Sequence, residues 1–156
     1  MKKVRDGFTM IELIFVIVII GILAVIALPK LAGTRTDAKV STIIANTKAL
    51  SNDIHNFYTS QGETIWSKAK IADVTDVPLQ NDKCELVDPN TTDIVDNTFY
   101  ICGDDGSVVK IITRKTLYGI ENGDDDKSLV AKTVQNDKVF ISLRHKYNLG
   151  NTTVKK

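Results

Sequence analysis

The sequence predicts an α+β protein in which one long, kinked N-terminal helix continues from a membrane-suited first half into a second half laid on a small antiparallel sheet. Three observations carry this reading. From Phe8 to Leu28 every residue is apolar except Thr9, Glu12 and Gly21. From Leu31 to Tyr58 apolar residues recur mostly at three- and four-residue steps, the spacing of an amphipathic helix. Past Gly62 the helical period gives way to short β-rich runs between glycine-bearing turns.

Residues 1–7 form a short leader that carries Lys2, Lys3 and Arg5. The apolar run behind it, residues 8–28, rises about 1.5 Å per residue as a helix, roughly 31 Å in all, enough to cross a hydrocarbon core. Basic residues ahead of such a run stay cytoplasmic, so the long C-terminal part is expected on the far side of the membrane. A secretory signal peptide fits less well. Its apolar region is shorter, about 7–15 residues, and ends in a small-residue cleavage site, whereas Pro29-Lys30-Leu31 follows here. Pro29 removes one helical hydrogen bond and should kink the axis. The helix then continues over 29–60, burying Leu31, Ala38, Val40, Ile43, Ile44, Leu50, Ile54, Phe57 and Tyr58, and stops at Ser60-Gln61-Gly62, where glycine suits a left-handed cap.

Residues 61–156 make the globular head. A short helix is expected from Trp66 to about Asp73, closed before Pro78. Phe99–Cys102 and Ser107–Ile112 flank Gly103-Asp104-Asp105-Gly106, which reads as a hairpin around a four-residue turn. Lys138–Arg144 alternates Val139, Ile141 and Leu143 with Phe140 and Ser142, and is predicted as a third strand. Leu129–Gln135 is left open between helix and strand. Cys84 and Cys102 are the two cysteines, and their spacing is neither C-x-x-C nor that of a zinc site. In an oxidising compartment they are expected to pair; the alternative is two buried thiols acting as small hydrophobes.

Glu12 does not fit a plain anchor. An acidic group at mid-bilayer costs about 2.5–3.5 kcal/mol on insertion scales. With its neighbours it forms Gly7-Phe8-Thr9-Met10-Ile11-Glu12-Leu13, behind a short basic leader and ahead of Ile20-Gly21-Ile22-Leu23 and Pro29. This string resembles the prepilin-peptidase signal of type IV pilins and type II secretion pseudopilins. The resemblance covers roughly the first 30 residues. It implies cleavage between Gly7 and Phe8, methylation of the new Phe8 amine, and a role for Glu12 in assembly. In the family picture Glu12 attracts the N-terminal ammonium of a neighbouring subunit, so that two charges costly in lipid offset one another. The implied partners are like or related subunits in a helical filament, the prepilin peptidase and methyltransferase, and an inner-membrane assembly platform. The implied location is the bacterial inner membrane, crossed once with a cytoplasmic N-terminus and a periplasmic head, and then a periplasmic or surface filament.

Charged residues are 25% of the chain and the formal net charge is +1, which leaves no basic field for nucleic acid. No G-x-S-x-G, H-E-x-x-H, Walker or dinucleotide-binding pattern occurs, and His55 and His145 lack a nucleophile motif beside them, so no enzyme activity is expected. No cofactor is expected either, apart from calcium. Glu121, Asp124, Asp125 and Asp126 form an oxygen-rich stretch, and the major pseudopilins of type II secretion carry a calcium site in a late loop. Its spacing is not that of an EF-hand, and a solvated acidic turn is the preferred reading. Within the family, long-tailed major pilins usually place their disulfide near the C-terminus, whereas 54 residues follow Cys102 here. The sequence therefore favours a secretion-type or competence pseudopilin over a surface pilus subunit. A monomeric membrane-tethered binding or sensor domain is the reading from another class.

Overall fold

The computed structural model describes residues 8–150, and of residues 27–32 the backbone alone. The leader 1–7 lies outside the described residues. The chain divides into two units, residues 1–36 and 37–156.

Helix α1 spans Met10–Trp66. In the first unit it starts from Thr9, and the large apolar side chains from Met10 to Ile26 are exposed. Among the described residues no helix is long and apolar enough to cross a membrane. The backbone stays helical through Pro29, whose side chain, like that of Leu31, lies outside the described residues.

In the second unit α1 buries Val40, Ile43, Thr47, Leu50 and Ile54, alternating three- and four-residue steps along one face. Each fully buried Val, Leu or Ile contributes about 1.5–3 kcal/mol of hydrophobic stabilisation. Two polar residues share that face, each with a partner. Thr47 donates to the Ile43 carbonyl at 2.8 Å, and the Ser51 hydroxyl lies 3.0 Å from the Tyr118 hydroxyl. Ala38, expected in the stripe, is exposed. The expected stop is present as a break rather than an end. Gly62 has φ 76° and ψ 172°, a conformation open to glycine, and one more helical turn follows, closing on the fully buried Trp66. The short helix predicted from Trp66 is correspondingly displaced: α2 is Ile71–Val74, begun where the Asp73 carboxylate accepts from the Lys70 N–H at 2.8 Å.

Four strands form one antiparallel sheet in the order β1-β2-β3-β4: β1 Thr98–Cys102, β2 Ser107–Thr113, β3 Leu117–Asn122 and β4 Lys146–Asn148. The first pair is the predicted hairpin, with Tyr100 opposite Lys110 and a bulge between Ile101 and Cys102. Phe99, Ile101, Val109, Ile111, Tyr118 and Ile120 join the α1 stripe in one core. Leu129–Gln135 is a helix, α3, because Ser128 caps it: its hydroxyl accepts from the Ala131 N–H at 3.0 Å.

The predicted strand at 138–144 is wrong. Lys138–Leu143 is helix α4, with Asp137 as N-cap accepting from the Val139 and Phe140 N–H groups at 2.7 and 3.3 Å. Period two would have sent Val139, Ile141 and Leu143 inward. Instead Phe140 is fully buried and Leu143, three residues on, packs on the same core, while Val139 and Ile141 are exposed. The real third and fourth strands, β3 and β4, are elements the sequence reading did not assign.

Candidate assembly site

The N-terminal string forms a cap. Thr9 is the residue before the helix, and its hydroxyl accepts from the Glu12 N–H at 3.3 Å. The Glu12 carboxylate reaches back, its Oε2 accepting from the Thr9 N–H at 2.8 Å and the Thr9 hydroxyl at 2.7 Å. This reciprocal arrangement is a capping box, which satisfies backbone donors at a helix start and holds the acid against one turn of backbone. The pattern Thr9-x-x-Glu12 was present in the sequence, but reading Glu12 only as a charge in an apolar run hid it. Both Thr9 bonds use one carboxylate oxygen, and Oε1 has no partner among the described residues. Phe8 is 88% exposed beside it, and Gly7 lies outside the described residues. The site thus consists of an exposed aromatic residue, a fixed carboxylate with one open oxygen, and an apolar helix exposed on all sides.

Cys84 and Cys102 are disulfide-bonded, with Cα atoms 5.8 Å apart. The bond fastens the loop after Pro78 to the end of β1. It does not act alone there. Gln80 exchanges two backbone hydrogen bonds with Tyr100, at 3.0 and 2.9 Å, and its side-chain oxygen accepts from the Cys102 N–H at 2.8 Å. Replacing both cysteines by serine is expected to lower head stability by about 3 kcal/mol, the chain-entropy figure for a loop of this size. The Gln80 clamp should keep the sheet intact. Urea unfolding followed by far-UV circular dichroism measures the loss; a variant that unfolds outright would show that the clamp is insufficient.

The acidic stretch is divided among several roles. Glu121 lies in β3, with Lys146 at 3.9 Å. The Asp124 N–H donates to the Ser107 hydroxyl oxygen at 2.9 Å. Asp125 accepts from the Ser128 hydroxyl and from the N–H groups of Ser128 and Lys127, both at 3.0 Å, and these bonds hold its carboxyl below the usual aspartate range. Asp126 is exposed. Asp124 and Asp125 border an open cleft with Asp82, Lys83, Asp104 and Asp105. Among the described residues no three His, Cys, Asp or Glu side chains are grouped to hold a metal ion. His55 is exposed on α1, and the His145 ring stands edge-on to Tyr147 at 6.4 Å.

Comparison with known proteins agrees with the N-terminal site. The sequence model of the prokaryotic N-terminal methylation motif matches residues 2–28. A fimbrial protein of Neisseria meningitidis is 36% identical over 81 residues, 49% of this chain and 46% of that protein. The fimbrial protein EcpC of Eikenella corrodens is 26% identical over 140 residues, covering 90% of this chain and 82% of that protein. The type IV major fimbrial protein FimA of Dichelobacter nodosus is 45% identical over 47 residues, 30% of each chain. The chain spans under half the length of the Neisseria relatives it matches. No solved structure matches it. The chain thus opens on a prokaryotic N-terminal methylation motif, is similar over part of its length to type IV pilins, and lays the second half of its long helix on a small antiparallel sheet.

Proposed function

We propose that this chain is a structural, non-enzymatic subunit of a surface type IV pilus, made as a precursor and held in the inner membrane by residues 8–28 until it is polymerised. The observation that carries the proposal is the capped Glu12 beside Phe8, at the head of a helix whose large apolar side chains from Met10 to Ile26 are exposed. A tethered monomer gains nothing from a carboxylate in that position. A filament subunit does, because a neighbour's terminal ammonium can occupy the open oxygen and both charges are then compensated. That the relatives are named as fimbrial proteins favours the surface pilus over the secretion-type pseudopilus first expected.

The test is mass spectrometry of filaments sheared from the native host. The expected subunit begins at a methylated Phe8. An intact Met1 in a host that contains the peptidase would refute the proposal. Gly7 replaced by a bulky residue should block cleavage, because a side chain there obstructs approach to the peptide bond, and the precursor should accumulate in the membrane.

A secretion or competence pseudopilus stays as the second reading on one specific observation: the Cys84–Cys102 bond leaves the last 54 residues outside its loop, unlike the terminal disulfide of long-tailed major pilins. Deleting the gene separates the two. Loss of surface fibres supports the pilus, and loss of an exported protein or of DNA uptake with fibres intact supports the pseudopilus.

A further inference from the structure

Two positions in the head pair an aspartate or asparagine with a following glycine, Asp105-Gly106 and Asn122-Gly123. Such pairs are open to attack by the glycine backbone nitrogen on the preceding side-chain carbonyl, because no Cβ shields that nitrogen. The fold treats them oppositely. At Asn122-Gly123 the nucleophile is occupied: the Gly123 N–H donates to the Val108 carbonyl at 2.9 Å. The electrophile is held too, since Asn122 Oδ1 accepts from Arg144 at 3.1 Å. The glycine itself is wedged so tightly that a Cβ would lie 2.1 Å from the Ser107 carbonyl oxygen. At Asp105-Gly106 none of this applies. Asp105 is exposed in the hairpin bend, its side chain has no partner among the described residues, and the Gly106 N–H meets no acceptor among them. Gly106 has φ 153°, a conformation few other residues adopt.

We propose that Asp105 is a site of spontaneous isoaspartate formation in the folded protein, and that Asn122 is protected from the equivalent reaction. The Gly106 nitrogen attacks the Asp105 side-chain carbonyl carbon. The new C–N bond closes a five-membered succinimide, and the carboxyl OH leaves as water with the amide proton. Water then adds to one of the two ring carbonyls. Opening at the side-chain carbonyl restores aspartate. Opening at the main-chain carbonyl breaks the original peptide bond and routes the backbone through the side chain, with no net change in atoms. The product lengthens the turn by one carbon between the β1 bulge and Ser107, and so displaces the neighbouring Asp104, which pairs with Lys39 of α1.

The full-length chain in detergent is incubated at mildly acidic pH, where the neutral carboxyl reacts, digested, and treated with an isoaspartyl methyltransferase for site-resolved peptide mapping. Peptide resolution separates residue 105 from the leader pair Asp6-Gly7. Methyl acceptance at residue 105 should rise severalfold faster than at any other aspartate of the head, and Asp105→Glu should abolish it without altering the far-UV spectrum. Asn122 should deamidate severalfold faster in urea than in the folded chain. Methyl acceptance at 105 no higher than at other head aspartates would overturn the proposal for Asp105. Equal deamidation of Asn122 with and without urea would overturn the claim of protection.

Discussion

Glu12→Leu is expected to be inserted and cleaved and yet to be missing from filaments. Insertion should be at least as good as in the native chain, since an apolar residue replaces a charge in the apolar run. The cut at Gly7 lies outside the capping box, so processing should survive. What disappears is the open carboxylate oxygen, and with it the compensation of a neighbour's ammonium. The leucine variant also destroys the cap, which by itself weakens a helix start by about 0.5–2 kcal/mol. Glu12→Gln separates these effects. Glutamine serves as well as glutamate in a capping box, so the Thr9 bonds remain while the charge is gone. If charge pairing drives assembly, Glu12→Gln fails as Glu12→Leu does, and Glu12→Asp is intermediate because its shorter side chain keeps the charge but loses reach. If the glutamine variant polymerises normally, geometry rather than charge is what assembly needs. If the leucine variant does so, assembly needs neither the charge nor the cap. Quantifying subunit in sheared fractions against total membrane protein decides among these outcomes.

Trp66→Ala should be the most damaging single change in the head. The side chain is fully buried, with the rings of Phe57 and Tyr58 at 6.3 and 6.1 Å. Removing such a ring from a packed core costs about 3–5 kcal/mol. The indole N–H also donates to the Arg114 carbonyl at 3.2 Å, a bond whose loss adds about 0.5–1.5 kcal/mol. For a domain with a total stability of about 5–15 kcal/mol, that sum brings the head close to unfolding at ambient temperature. Trp66→Phe keeps most of the volume but drops the donor, and should cost visibly less. Urea unfolding followed by far-UV circular dichroism distinguishes the two. A loss below about 1 kcal/mol for the alanine variant would mean that the turn after Gly62 can detach from the head without consequence.

The parts of this fold that were legible in the sequence are those where one local signal had no competitor. The stripe from Val40 to Ile54 is long enough for its period to stand out, and two β-branched runs around a glycine-bearing turn have few alternatives to a hairpin. Lys138–Leu143 went wrong because six residues fit both periods, and what decided it, Asp137 accepting from two backbone N–H groups, sits just outside the run. Strand β3 was hidden for a different reason. Tyr118 and Ile120 alternate, but Gly119 between them and the charged Arg114-Lys115 turn before them dilute the pattern. Strand β4 has three residues, and its pairing with β3, with Tyr147 stacked on Tyr118 at 4.6 Å between ring centroids, is a long-range contact that no local reading can see. At the N-terminus the sequence singled out Glu12 but not its bond to Thr9, because the charge drew attention away from the cap.

The bridge between Gln80 and Tyr100 bears on how such heads tolerate crowding. An antiparallel sheet ends in rows of unpaired N–H and C=O groups, and identical edges brought together tend to zip into a continuous sheet and then an aggregate. Here the outer rim of β1 is already occupied at its centre by the backbone of Gln80 and at its end by the Gln80 side chain. The opposite rim, β4, is three residues long and begins with Lys146. Neither side offers a run long enough to template a foreign strand. In a filament of the proposed kind, heads held side by side would keep their sheets separate, and contact between copies would be left to the helices.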